Sequence, residues 1–169
     1  MRLTFLMAFC LFSTLCFCQF DKSTIVRTCM NVNLPLKGLA TNDAGFGVTV
    51  DAAFLSKSKL QALVETSADY FLGDKLLIVD ANSGKQAKRP SIYSIRFGPQ
   101  LFITPALAIS ATCGPTWHVV RDFRHSLDDG FRFSANTFLG KKRSVAARFY
   151  MVTIPNKIHY LGTSVGVRF

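Results

Sequence analysis

Between residues 60 and 72 the even positions are Leu60, Ala62, Val64, Thr66, Ala68, Tyr70 and Leu72, while Gln61, Glu65, Ser67 and Asp69 fall among the odd ones. A period of two sorts side chains onto the opposite faces of an extended strand, which a helix cannot do. The pattern recurs over 91–103, where Tyr93, Ile95, Phe97, Pro99, Leu101 and Ile103 alternate with Ser94, Arg96, Gly98 and Gln100. Helical periodicity is nearly absent after Gln19. The same test predicts an all-β chain of eight strands at 24–36, 45–55, 60–72, 91–103, 106–120, 131–139, 145–153 and 158–169.

The remaining apolar faces read Val26, Met30, Val32 and Leu34 in the first strand, then Phe46, Val48, Val50, Ala52 and Phe54 in the second. Leu107, Ile109, Ala111, Trp117 and Val119 follow in the fifth, Phe131, Phe133, Ala135 and Leu139 in the sixth, and Leu161, Val165, Val167 and Phe169 in the eighth. Residues 97–120 carry no Asp, Glu, Lys or Arg, a run long enough to suggest a membrane helix. Pro99, Pro105 and Pro115 with Gly98 and Gly114 would break such a helix, whereas Thr104 and Pro105 suit a tight turn between strands. Pro99 and Pro115 then fall inside strands, where the missing N–H donor leads us to expect bulges.

At 169 residues, 49% apolar and 18% charged, the chain suits one compact domain and is too short for a multidomain enzyme or a many-helix transporter. Its net charge of +10 raises nucleic acid and anionic lipid as partners. Arg2 followed by an apolar run to Phe17, with cysteines at 16 and 18, has the parts of a secretory signal peptide cleaved after Cys18. The run is shorter than the roughly 20 residues that span a bilayer, and Leu15 and Phe17 are too large for the position before a lipidated cysteine. We therefore expect a signal peptide at 1–18 and one domain at 19–169. Only Cys29 and Cys113 remain in that domain, with no metal-ligand spacing around them, so no metal and no cofactor are expected.

Connections 56–59, 104–105 and 140–144 are short, while 37–44, 73–90 and 121–130 are longer and polar. Short turns on the side of the N-terminus and long loops on the other are how antiparallel outer-membrane barrels are arranged. Composition then bears on which face meets which solvent. The polar faces bear Arg27, Asp51, Glu65, Asp69, Arg96, Arg132, Arg148 and Arg168 among several glycines, a set suited to filling a lumen. Phe46, Tyr70, Tyr93, Trp117 and Phe131 lie on apolar faces at the outer ends of the second to sixth strands, as an interfacial aromatic girdle requires. The basic turns at Lys57, Lys59, Lys141, Lys142 and Arg143 then meet anionic lipid heads, and no nucleic-acid partner is needed.

The last residues alternate Tyr160, Gly162, Ser164, Gly166 and Arg168 with Leu161, Thr163, Val165, Val167 and a terminal Phe169. This resembles the terminal-strand signal of bacterial outer-membrane proteins, which ends in an aromatic and is read by the barrel assembly machinery. The chain as a whole is similar to the small β-barrels of Bacteroidota grouped as porin-like or outer membrane protein β-barrel domains. The resemblance implies an eight-stranded antiparallel up-and-down transmembrane β-barrel in the outer membrane, monomeric, with Phe169 as assembly signal. It implies no particular activity.

Some barrels of this size are lipid A enzymes, and a hydrolase of that kind needs a Ser-His pair at the outer end of a strand. His125 and Ser126 are adjacent, which on a strand sends them to opposite faces, and a deacylase places its His and Ser two apart. His118, His159 and Tyr160 read as polar residues at strand ends. The expectation is therefore a non-enzymatic barrel with a packed polar lumen and a structural or surface-interaction role through its loops. A lipid-A-type enzyme, a small anion-selective channel and a soluble ligand-binding barrel are the alternatives.

Overall fold

The structure, a computed structural model, describes residues 24–37, 44–54, 59–72, 77–78, 86–87, 91–119, 126–140, 144–155 and 158–168. The leader at 1–18, the loop tip at 82–85, Lys57, the basic turn residues 141–143 and Phe169 lie outside the described residues. The strands are β1 (Ile25–Lys37), β2 (Gly45–Phe54), β3 (Leu60–Phe71), β4 (Leu77–Ile78), β5 (Gln86–Ala87), β6 (Ser91–Phe102), β7 (Leu107–Val119), β8 (Ser126–Leu139), β9 (Val145–Ile154) and β10 (Ile158–Arg168). All but β4 and β5 close into one antiparallel barrel in the order β1-β10-β9-β8-β7-β6-β3-β2. Closure leaves no free strand edge, so each wall strand is paired on both sides.

β4 and β5 pair with each other through Leu77 opposite Ala87 and Ile78 opposite Gln86, a short ladder between β3 and β6 that is separate from the wall. At the opposite end, β6 and β7 join through residues 103–106. Thr104 Oγ1 accepts the amide of Leu107 at 3.0 Å and that of Ala106 at 3.3 Å, the local bond that lets a threonine set a tight turn.

Two expectations are corrected. Residues 126–130 belong to β8 and not to a loop: Asp128 faces Thr116, Asp129 faces Pro115 and Gly130 faces Gly114 in an unbroken β7–β8 ladder. Nor do Pro99 and Pro115 make bulges. Pairing between β6 and β7 lapses at 95–96 opposite 114–115 and at 98–99 opposite 111–112, yet resumes in the same register. The β3–β6 and β7–β8 ladders run through both prolines intact. Each proline therefore directs its missing donor at the one β6–β7 seam. Gly98 and Gly114 allow the backbones to close there, since a Cβ at these positions would lie 2.0 Å from the Ala111 carbonyl oxygen and 2.3 Å from that of Ile95. A register shift does occur in β1, between Pro35 and Lys37.

Alternation turns every second side chain inward, and the interior is layered along the barrel axis. Phe71, Ile92, Val152, Ile154 and Ile158, with the rings of Tyr150 and Tyr160, pack where the longer connections arise. Phe102, Ala108, Phe138 and Ala146, beside Ile25, Ala53 and Leu63, pack at the short-turn end. Between these apolar layers the lumen is polar.

Candidate functional site

The middle layer centres on Glu65 of β3. Its carboxylate accepts Arg96 Nε at 2.9 Å, Thr112 Oγ1 at 2.8 Å, Arg148 Nη1 at 3.4 Å and Arg132 Nη1 at 3.5 Å. Asp51 on β2 accepts Arg27 Nε at 2.6 Å and Arg148 Nη2 at 2.5 Å, so Arg148 bridges the two acids. Arg96 and Glu65 are directly opposite in the β3–β6 ladder, and Arg27 and Asp51 are opposite in β1–β2, which gives each pair a short path. Arg96 is 0% and Glu65 1% exposed. Ions so deeply buried persist only when paired and hydrogen-bonded.

Asp69 is held differently. It accepts Asn31 Nδ2 at 3.0 Å, Asn33 Nδ2 at 2.8 Å and the Tyr160 hydroxyl at 3.0 Å, all neutral donors. Tyr150 donates to Asn33 Oδ1 at 2.5 Å while its ring lies 3.6 Å below the Arg132 guanidinium carbon. Gln61 and Gln100 extend the network toward the short-turn end, where Gln100 accepts from Arg27. Arg168, partly exposed, lies beside Arg27 in the register and reaches the rim of the lumen.

Of the expected lumen charges, the structure buries Arg27, Asp51, Glu65, Asp69, Arg96, Arg132 and Arg148 inside the barrel. Asn31, Asn33, Tyr150 and Tyr160 were missed, while Gln61 and Gln100 were read on the polar faces but not counted in the network. Tyr150 and Tyr160 share a phase with Arg148 and Arg168 on their strands, and that phase was the signal available. Tyr160 lies near the start of β10, as expected of a strand-end residue, and points into the lumen.

Phe46, Tyr70, Tyr93 and Phe131 are exposed on the outer face, with Trp117 partly so. Phe46 stands opposite Tyr70, and Tyr93 opposite Trp117. Because β8 begins at Ser126, Leu127 takes the rung opposite Trp117, and Phe131 sits within the strand, facing Cys113 on one side and Thr153 on the other. Ser126 therefore opens a strand opposite His118 rather than lying in a loop. His118 Nε2 is 3.9 Å from Asp128 Oδ2, beyond hydrogen-bond reach.

The outer face is otherwise mainly apolar, with Met30 at 77% and Val165 at 62% exposure, interrupted by Thr137, Thr163 and, near the outer end of β8, Asp129. Leu101, Ile109, Phe133, Phe149 and Met151 surround a shallow concavity of about 480 Å³ floored by Ala111 and Ala135, on the outside of the wall. With the arginine–carboxylate network sealed inside and a mainly apolar surface presented outside, the faces are those of a barrel whose solvent is hydrocarbon, and a soluble barrel would have them reversed. The fold is that of a small outer-membrane β-barrel.

Solved structures agree. Neisserial surface protein A matches with a TM-score of 0.62 at 14% identity, over 87% of this chain and 96% of that one. The attachment invasion locus protein Ail of Yersinia pestis gives 0.57 at 8%, over 86% and 97%. The N-terminal β-barrel domain of Pseudomonas aeruginosa OprF gives 0.53 at 11%, over 87% and 98%. No protein-family model and no curated protein matches the sequence. The likeness thus concerns the fold, and the Bacteroidota grouping suggested by the terminal strand is not among the matches.

Proposed function

We propose that this protein resides in a bacterial outer membrane as a closed, monomeric barrel without catalytic activity, and that its role is exercised by the connections at its outer end. The observation that carries the reading is the lumen: a cross-linked charged layer lies between two apolar layers, and nothing in that arrangement offers a path or a reactive centre. A conducting pore needs continuous polar lining, which Phe71, Ile92, Ile154 and Ile158 interrupt at one end and Phe102 and Phe138 at the other. On this reading Phe46, Tyr70, Tyr93 and Trp117 anchor the wall at the lipid headgroups, Phe131, expected in the girdle, faces the hydrocarbon from within β8, and Phe169 is the signal read by the assembly machinery during biogenesis.

The chemistry of the outer connections favours an acidic partner. Residues 73–90 and 120–125 carry Lys75, Lys85, Lys88, Arg89, Arg121 and Arg124 against Asp74, Asp80 and Asp122. Ail, one of the structural neighbours, was solved with the heparin analogue sucrose octasulfate. That supports testing a sulfated glycan here. Cells displaying the protein are expected to bind immobilised heparin in a salt-sensitive manner, and replacement of 82–88 by Gly and Ser should remove the binding while the barrel remains folded in the outer-membrane fraction. Retained binding in that variant, or recovery of the mature protein in the soluble fraction, would overturn the proposal.

A further inference from the structure

The buried charges do not balance. Arg27, Arg96, Arg132 and Arg148 face Asp51, Glu65 and Asp69, which leaves the layer one negative charge short. The pairing shows which arginine carries the excess. Arg27, Arg96 and Arg148 each make at least one carboxylate contact of 2.9 Å or shorter. Arg132 reaches a carboxylate only through the 3.5 Å contact to Glu65; its other contacts are a 3.3 Å bond from Nη1 to Thr49 Oγ1 and the face of the neutral Tyr150 ring, neither of which carries a full negative charge. Asp69, the third buried acid, is engaged by the neutral donors of Asn31, Asn33 and Tyr160.

The side of Arg132 left over has a definite shape. Nε and Nη2, which together present the two parallel N–H donors of a guanidinium, have no hydrogen-bond partner among the described residues, and Arg132 is 1% exposed. An unpaired neutral donor in such a place would call for water. An unpaired bidentate cationic edge in a layer lacking one negative charge calls for an anion. Arg96 Nη1 and Arg148 Nε are likewise without partners among the described residues and add to the positive field.

We propose that the lumen holds one small monovalent inorganic anion, of halide size, on the Nε–Nη2 edge of Arg132. The ion is a structural counter-ion. It completes the charge of a layer that the apolar ends close off from both solvents, and it enters as the barrel folds. The proposal rests on the closed-lumen reading, and single-channel recording separates the two: an anion that passes through produces current, whereas a resident one does not.

The full mature chain is refolded from urea into micelles in sodium chloride, sodium bromide or sodium gluconate at matched ionic strength, gluconate serving as the bulky organic anion that does not substitute for a halide. Refolding in each salt matters because a closed lumen exchanges slowly. Above the dissociation constant, the unfolding equilibrium constant should fall about tenfold for each tenfold rise in chloride or bromide, and should not respond to gluconate. Crystals grown from bromide-refolded protein should show an anomalous peak within hydrogen-bond distance of Arg132 Nε and Nη2. Arg132→Met should abolish the halide dependence. Thr49→Asp, which sets a fixed carboxylate beside Arg132 Nη1, should also abolish it and makes the test independent of whether the methionine variant assembles. Equal stability of the unmodified protein in all three salts, or a bromide crystal without the anomalous peak, overturns the proposal and leaves water on that edge.

Discussion

Replacing Glu65 by Ala removes the single acceptor shared by Arg96, Thr112, Arg132 and Arg148. The three guanidinium groups stay buried, and the layer, already short of negative charge, loses another. Stranding one partner of a buried ion pair typically destabilises by about 3–5 kcal/mol, against a total stability of about 5–15 kcal/mol for folded domains. At about 1.4 kcal/mol per decade, the unfolding equilibrium constant should rise by roughly two to three and a half orders of magnitude. The neighbouring Val64 supplies the control, because it faces outward at 40% exposure and its truncation exchanges one lipid contact for another. Val64→Ala is expected to change stability by about 1 kcal/mol or less. Reversible urea unfolding in micelles, followed by tryptophan fluorescence from Trp117 and by the mobility of folded and unfolded bands, reads both variants. If Val64→Ala proved the more damaging, the faces would be assigned the wrong way round, and if Glu65→Ala were neutral the network would contribute nothing to stability.

Purified protein in planar bilayers should give no steady conductance; a sustained current whose anion preference disappears in Arg96→Ala and Arg132→Ala would show an open lumen. Trypsin added to intact cells should cut at Lys85, Lys88 or Arg89, and cleavage at Lys57 or Lys141 with those sites untouched would reverse the topology. Deletion of Phe169, or Phe169→Asp, should lower the yield of assembled barrel far more than Arg168→Asp, as read by surface labelling; equal yields would remove the terminal aromatic from the assembly argument. Gly162→Ala would place a Cβ 2.3 Å from the Tyr150 ring, so it should displace that ring from beneath Arg132 and destabilise by about 1–3 kcal/mol in urea unfolding, whereas a neutral result would mean that the ring moves freely.

The wall was legible because its rule is local. Each strand alternates, so the inward phase of Glu65 and the outward phase of Val64 can be read from their own neighbours. What failed was chemistry that depends on partners. Residues 128–130, Asp-Asp-Gly, have turn composition, but in the ladder they face Thr116, Pro115 and Gly114, and tertiary pairing overrides the local preference. The prolines were expected to displace the register, yet a strand offers its N–H groups alternately to two neighbours, and only the one seam lost donors. The apolar layers escaped notice for a different reason. Phe71, Ile92, Phe102 and Phe138 stand on faces read as polar, and only closure of the barrel shows that they meet at its ends. In the site, the inward arginines and acids could be named from the alternation, but who pairs with whom could not, since Glu65 and Arg148 are 83 residues apart.

The seam between β6 and β7 gives the carboxylate at position 65 a further significance. There the backbone itself is poorly stitched, with rungs absent at two places on one ladder. Glu65, anchored on β3, is gripped by Arg96 from β6 and by Thr112 from β7, so a single side chain reaches across the very strands whose main chains hold each other least. Apart from the register shift near the end of β1, the other ladders run without a gap; here an interrupted ladder is reinforced from within. The seam is thus the place where interior electrostatics adds most to what the sheet supplies. Any condition that weakens the charged layer should be felt first as breathing between these two strands.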